Sequence, residues 1–241
     1  MLFHKKKENT DYAKIVAESG LKHMAFIMDG NGRWATSRSL PREAGHKVGA
    51  ETFENVVRYC GNIGIRCVTV YAFSTENWKR PKNEVNAIMT LLDQYISKAT
   101  RDNEKNKTQF HFIGDVGALD AELAEKCRTL EKYTADNEQI VNIALNYGGR
   151  AEIVHAVKET VKNGEDITEA ALSSHLYTSH CPEPDMIVRT GGETRISNFL
   201  MWQSAYSEFY FSKKLWPDFT YDDVNEAVVE YSKRKRRYGG V

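Results

Sequence analysis

His23-Met-Ala-Phe-Ile-Met-Asp-Gly-Asn-Gly-Arg-Trp34 joins an apolar run to a loop of one acid, two glycines and one arginine. Residues 23–28 have the length and apolar character of a buried strand. A carboxylate at a strand end, glycines that admit close backbone approach, and a fixed cation together suit a metal-bound phosphate. The loop points to a diphosphate. Gly30-x-Gly32-x-x-Ala35 also satisfies the relaxed dinucleotide fingerprint, but large Arg33 and Trp34 fill its variable positions and an acid directly precedes its first glycine. Glu51 and Glu54, the acids about twenty residues on, read as helical rather than as the end of a second strand.

Outward from this loop the chain alternates strand-like and helix-like segments. Strand-like runs fall at 23–28, 65–73, 109–113, 139–145 and 186–188, with a sixth at 208–211. Helical spacing joins Phe53, Val56, Val57 and Cys60; Val85, Ile88, Met89, Leu92 and Ile96; Leu123, Cys127 and Leu130; and Ile153, Val154, Val157 and Val161. A short amphipathic helix around residues 12–18 precedes them, closed by Gly20. The pattern predicts an α/β fold with a mainly parallel central sheet of about six strands flanked by helices. No repeat or low-complexity linker divides it, so 1–241 reads as a single domain, with an N-terminal helical segment at 1–20 and a C-terminal helix and tail at 220–241.

In a parallel sheet the loops after successive strands leave one carboxyl edge, where open α/β folds bind ligands. That edge then collects residues 29–34, 74–81, 146–149 and 189–195, with Arg33, Arg42, His46, Arg80, Arg189 and Arg195 among or near them. So many cations exceed what one phosphate group needs, and arginine forks bind phosphate bidentately, so two polyanionic ligands are expected. Asp29, Glu76, Glu84, Glu193 and Glu208 are the carboxylates of the set. Mg²⁺ takes one or two carboxylates plus water and phosphate oxygens, so Asp29 with one late glutamate suffices. Glu84 also reads simply as an acid in a helix's first turn. Trp34, Trp78, Phe26, Phe73 and Phe199 flank the loops as walls for an apolar substrate portion or as plain core.

Composition excludes several classes. Thirty-three basic residues balance thirty-three acidic ones, so no global field favours nucleic acid. The basic runs Lys5-Lys6-Lys7 and Lys233-Arg-Lys-Arg-Arg237 read as solvated tails or as contacts to anionic lipid heads. Four cysteines at 60, 67, 127 and 181 lack C-x-x-C or Cys/His ligand spacing, which argues against a zinc site or a disulfide framework. No window approaches eighteen apolar residues, and no leader-like apolar run opens the chain. A cytoplasmic protein is expected, in peripheral contact at most with the inner face of a membrane.

Four blocks carry a family resemblance: residues 23–35, Leu40-Pro-Arg-Glu-Ala-Gly-His46, Tyr71-Ala-Phe-Ser-Thr-Glu-Asn-Trp-Lys-Arg-Pro81, and Pro184-Asp-Met-Ile-Val-Arg-Thr-Gly-Gly-Glu-Thr-Arg-Ile-Ser-Asn-Phe-Leu-Met-Trp-Gln203. Together they resemble the signature blocks of cis-prenyltransferases, nearest to the bacterial undecaprenyl diphosphate synthases. The ending Arg237-Tyr238-Gly239 resembles the family's Arg-x-Gly element. The likeness implies repeated condensation of isopentenyl diphosphate onto an allylic diphosphate, usually farnesyl diphosphate, with each new double bond cis. It also implies an apolar tunnel beside the site, a homodimer, and a tail that reaches the neighbouring site. A long-chain product is expected, and a shorter-chain synthase or a non-catalytic partner subunit are the alternatives.

The resemblance further implies that Asp29 and Glu208 handle Mg²⁺, and that Gly30, Asn31, Gly32, Arg33, Arg42 and His46 hold the allylic diphosphate. Arg80, Arg189, Arg195 and Ser197 match the isopentenyl diphosphate site. Asn77 matches the residue assigned to proton removal, and Trp34, Ser74, Thr75, Glu76, Trp78 and Ile196 complete the substrate-binding set. An amide is a poor general base, so a relay through water or a diphosphate oxygen stays open. Ser39 stands where glycine is common, and Val141 and Ala144 occupy a strand expected near the tunnel floor. Asp222-Asp-Val-Asn-Glu226 superficially matches the aspartate-rich motif of all-helical trans-prenyl synthases, but Thr220 three residues before Asp223 makes it a capped helix start.

Overall fold

Side chains alternate across every strand, and both faces of the sheet are covered. The computed structural model describes residues 10–102 and 108–234; Lys5-Lys6-Lys7 and Arg237-Tyr238-Gly239 lie outside them. The strands are β1 (His23–Ile27), β2 (Cys67–Ser74), β3 (Thr108–Ile113), β4 (Gln139–Tyr147), β5 (Met186–Arg189) and β6 (Glu208–Phe211), in the order β3-β4-β2-β1-β5-β6. Every pairing is parallel, so the mainly parallel sheet expected from the sequence is wholly so.

Eight α-helices are described: α1 (Tyr12–Ser19), α2 (Asn31–Thr36), α3 (Arg42–Asn62), α4 (Lys82–Arg101), α5 (Ala121–Thr134), α6 (Gly149–Lys162), α7 (Glu169–Ser174) and α8 (Tyr221–Lys233). Met24 and Phe26 of β1, Val68 and Val70 of β2, and Val141 and Ile143 of β4 face a core shared with α1, α3, α4, α5 and α8. Ala25, Ile27, Ala144 and Ile187 face the other way, onto Tyr147, Phe199 and Leu200. Burying each large apolar side chain contributes about 1.5–3 kcal/mol. Phe26, Phe73 and Phe199 are all fully buried, so they belong to the core rather than to a substrate wall.

Local chemistry fixes the helix ends. Asp11 accepts from Lys14 N at 3.1 Å and Gly20 closes α1 at φ +71°. Thr220 and Asp223 form a capping box on α8, so the acidic stretch at 222–226 is a helix start and not a metal motif. Two helices escape the sequence pattern. In α2, six residues turn because Gly30 at φ +113° reverses the chain and Trp34 N donates to Gly30 O at 2.8 Å. In α7, Thr168 caps a helix too short to show a period. Ser39 stands at φ +56°, the left-handed region that glycine enters without strain. No helix of the described residues is long and apolar enough to cross a membrane.

The amino end of the second face is polar. His23, Thr69, Asn142 and His111 project there from four strands, beneath His180 and Cys181. Cys67 and Cys181 meet His23 in this layer, a proximity that the lack of Cys/His ligand spacing along the chain does not reveal. Burial, and then the neighbouring His180, hold the His111 ring down to about 4. An unfolded histidine titrates near 6.5, so the stability this ring contributes is present above about 6.5 and is lost as pH falls from there toward its folded value. His111 is expected to remain neutral at pH 5 in the folded protein. An NMR titration placing its ring midpoint near 6.5 would reject the assignment.

Candidate active site

Two acids organise the carboxyl edge. The first is Asp29, just past β1, whose two oxygens meet Arg33 Nη2 at 3.1 Å and Arg189 Nη2 at 2.9 Å. Arg33 Nη1 also donates to Gly191 O at 2.7 Å, and Thr190 Oγ1 donates to Asp29 O at 2.7 Å, so the loops after β1 and β5 are tied together. Arg189, only 4% exposed, donates to Arg195 O and, at 2.7 Å, to Ser197 Oγ, while its Nε has no hydrogen-bond partner. Ser197 and Asn198 take φ +50° and +64° to present that wall.

The second acid is Glu84, in the first turn of α4 and 4% exposed. Arg42 Nε and Arg80 Nη1 each reach it at 3.0 Å, and His46 Nε2 at 3.3 Å. Burial pushes the Glu84 carboxyl up, yet the hydrogen bond and charge of Arg42, the charge of Arg80 and the His46 bond together bring it below the usual carboxylate range. Burial lowers His46, outweighing the Glu84 bond, so the ring is neutral at pH 7. Glu84 therefore does more than complement a helix dipole. Its i, i+4 spacing from Arg80 was the one sequence signal of this role.

Glycines make the loop compact. A Cβ on Gly45 of α3 would lie 1.9 Å from Asn31 O, and one on Gly32 would lie 2.5 Å from the Arg42 guanidinium carbon. A side chain at 45 would push α2 and α3 apart, and one at 32 would displace the Arg42 guanidinium from its place beside Glu84. Past β2, a 3₁₀ turn at Thr75–Lys79 opens with a capping box, in which Asn77 Oδ1 accepts from Ser74 N at 3.1 Å. The Asn77 amide thus offers a ligand its N–H donors more readily than a basic oxygen. Glu76 accepts from Asn198 Nδ2 at 2.9 Å, linking this turn to the loop after β5.

These loops enclose a cleft of about 520 Å³, walled by Asp29, Arg33, Arg42, His46, Asn77, Arg80, Arg189, Arg195 and Ser197, with Gly30, Asn31, Gly32, Ser74 and Glu76. It shares Met28, Asn31, His46, Ala72 and Ile88 with an apolar cavity of about 110 Å³ between α3 and α4, lined further by Phe53, Val70, Leu92 and Tyr95. An apolar cavity thus adjoins the site on the side where the tunnel is expected. Ile143 of β4 reaches it, Val141 lies on the same face farther from the mouth, and Ala144 faces the opposite core, so Ala144 is no part of a tunnel floor.

Within the single chain, three expectations meet a different arrangement. Glu208 pairs in register with Met186 at the amino end of the sheet, three residues back along the strand from the level of Ile27 and Arg189. At about 3.3 Å per residue and 4.8 Å per strand, that separates it from Asp29 by more than one ion can span. Within one chain Glu208 holds Arg234 at 2.6 Å instead. Trp34, Thr75, Trp78 and Ile196 stand outside the cleft wall. Trp34 donates to Asp218 at 2.7 Å under Arg38, and Trp78 donates to Asn146 at 2.8 Å against Phe73. Finally, the allylic and isopentenyl sets interleave, because Asp29 holds Arg33 with Arg189 while Glu84 holds Arg42 and His46 with Arg80. The donor set suits Mg²⁺ nonetheless: a hard-oxygen carboxylate, Asp29, opens to a cleft whose arginines suit phosphate oxygens.

The family model described as putative undecaprenyl diphosphate synthase matches residues 27–239. An isoprenyl transferase of Clostridium tetani is 49% identical over 228 residues, covering 91% of this chain and 89% of that one. One from Clostridium perfringens is 45% identical and covers 99% and 98%. Among solved structures, a lavandulyl diphosphate synthase from Lavandula x intermedia in complex with dimethylallyl diphosphate superposes with a TM-score of 0.87 at 32% identity, covering 92% of this chain and 99% of that one. A probable undecaprenyl diphosphate synthase from Campylobacter jejuni gives 0.79 at 35%, covering 91% and 98%.

Proposed function

We propose, for a chain that belongs to the undecaprenyl diphosphate synthase family and is a prenyl transferase, that it adds isopentenyl diphosphate repeatedly to an allylic diphosphate, with farnesyl diphosphate as first acceptor and undecaprenyl diphosphate as product. The observation that carries this reading is the pair of acid-held cation nodes in one cleft, opening onto an apolar cavity. Two diphosphates need two cationic cradles, and a growing hydrocarbon needs a dry channel. That a relative of the same fold was solved with dimethylallyl diphosphate, an allylic diphosphate, supports it.

In the reaction the allylic C–O bond breaks and its electron pair leaves with diphosphate. The isopentenyl double bond supplies the electrons of the new C–C bond, and a proton leaves C2 of the isopentenyl unit. Arg33, Arg42 and Arg80 take up charge on the departing diphosphate, and stabilising charge as it develops is the main way such a site lowers its barrier. Mg²⁺ held by Asp29 would add Lewis-acid neutralisation of the same charge. Arg189, Arg195 and Ser197 fix the isopentenyl diphosphate, and interleaving of the two nodes holds the alkene near the allylic carbon. Asn77 donates N–H groups to a diphosphate, and a diphosphate oxygen receives the proton. The same reading includes a homodimer and a peripheral membrane station for the product.

Incubation of the purified chain with radiolabelled isopentenyl diphosphate, farnesyl diphosphate and Mg²⁺, followed by thin-layer sizing, tests the reading. Label in an undecaprenyl-length product is expected. No incorporation overturns the catalytic reading, and arrest after one or two additions assigns a shorter product. Arg195, largely exposed and 2.5 Å from Glu193, gives a second prediction. Arg195→Ala should weaken isopentenyl diphosphate by roughly 1.5–3 kcal/mol, the size of a lost charge-assisted contact, and barely change the allylic substrate. Equal weakening of both in direct binding would remove the two-site map.

A further inference from the structure

The polar layer at the amino end of the sheet lies on the opposite edge from the cleft. Asp29 and Ser74 stand about six residues along the strands from His23 and Cys67, or about 20 Å. The Cys67 and Cys181 sulfurs and a His23 ring nitrogen all lie within 4.8 Å of one another. His23 and Cys67 are buried, at 1% exposure each, and Cys181 is half-buried, which leaves a way in from solvent.

The ring of His23 is already set for ligation. Its Nδ1 lies 2.6 Å from Pro182 O, a pure acceptor, so Nδ1 carries the proton. Its Nε2 lies 2.8 Å from Thr69 Oγ1, and that hydroxyl accepts from Asn142 Nδ2 at 2.9 Å, so the hydroxyl proton points at Nε2. Nε2 therefore carries the lone pair, which accepts from the Thr69 hydroxyl, and that hydroxyl has to turn away for an ion to bind. A backbone carbonyl fixing the tautomer through the other nitrogen is the arrangement that metal-bound histidines use. Asn142 Nδ2 reaches Cys181 Sγ at 3.2 Å and Cys67 Sγ at 3.7 Å, so one amide holds both sulfurs on the same side of the layer.

We propose that His23, Cys67 and Cys181 form a binding site for a thiophilic d¹⁰ cation, with Zn²⁺ as the fitting ion. Bond lengths of about 2.3 Å to sulfur and 2.0–2.1 Å to nitrogen put tetrahedral ligand atoms roughly 3.4–3.8 Å apart, so the observed cluster needs to contract by about 1.4 Å at most. Two thiolates neutralise the ion, the imidazole enters uncharged, and ligation releases the remaining thiol protons to solvent. Water entering beside Cys181 fills the fourth position. The ion would tie the first residues of β1 and β2 to the segment before β5, three pieces that start 44 and 114 residues apart in sequence.

The test uses the full chain, reduced with a non-chelating phosphine and held in Mg²⁺. One equivalent of Zn²⁺ is expected to survive gel filtration, and Co²⁺ in its place should give a near-ultraviolet thiolate-to-metal charge-transfer band. At a hundredfold excess over Kd, Zn²⁺ should raise Tm by about 5–10 °C. Cys181→Ser and Cys67→Ser should lose the band while Asp29→Ala, at the other edge, keeps it. Circular dichroism confirms that each variant folds. Absence of stoichiometric Zn²⁺ and of the band in the wild-type chain would overturn the site, and that reading needs no variant. Persistence of the band in a folded Cys67→Ser, Cys181→Ser double variant would overturn it equally.

Discussion

Asp29→Ala is expected to lower kcat at saturating Mg²⁺ at least a hundredfold, about 3 kcal/mol of transition-state stabilisation, while the allylic diphosphate still binds. Asp29 opens to the cleft between two arginines, whereas Glu76, the other acid of that wall among the described residues, is engaged by Asn198. Glu84 is enclosed by Arg42, Arg80 and His46, which remain in position to hold the substrate. Steady-state turnover together with calorimetric binding of the allylic diphosphate measures both halves of the statement. Unchanged kcat would show that Asp29 merely spaces its arginines.

Glu84→Ala should act on binding and on stability together. Removing a buried acid strands Arg42 and Arg80, but both arginines are more than a third exposed, so water recovers part of the loss. A destabilisation of about 1–3 kcal/mol is expected, or roughly 2–12 °C in Tm. The Michaelis constant for the allylic substrate should rise at least tenfold, because both arginines and His46 lose their common anchor. Glu84→Gln retains the shape and one acceptor and should fall between. Since the folded carboxyl titrates below the usual range, its stabilisation is present above about pH 4.3 and is lost as pH drops through the folded value. Denaturant titrations from pH 6 to pH 3 should therefore converge for wild type and Glu84→Gln. A constant gap across that range would refute the ionic role.

Strand order along the chain and the glycine loop were legible because both are local. Apolar, strand-like runs marked all six strands, missing mainly the polar ends at Ser74 and Tyr147. Which residues converge was also legible in outline, since a parallel sheet delivers its loops to one edge. Register was not. Glu208 sat in a block that follows the cleft residues in sequence, and only strand pairing reveals that it enters the sheet at the far end. Pairing of charges was equally hidden: nothing in the spacing of Asp29 and Arg189, or of Arg42 and Glu84, says that they touch. The cysteines failed for the same reason, because ligand-spacing rules see only neighbours along the chain, whereas His23, Cys67 and Cys181 meet through the sheet.

Each arginine of the cleft already faces an internal anion: Asp29 for Arg33 and Arg189, Glu84 for Arg42 and Arg80, Glu193 for Arg195. Phosphate groups must therefore enter by exchange, displacing resident counterions rather than filling a bare positive hole. Each acid thus acts twice, competing with phosphate for the guanidinium groups and holding those groups in place for it, and the Glu84→Ala prediction takes the second effect as the larger. On the proposed reading, in which one chain is extended through many cycles, inorganic diphosphate must leave after each of them, and side-chain carboxylates tethered at the binding groups are competitors that never diffuse away. The acids that hold the cations in readiness also clear the site for the next turn.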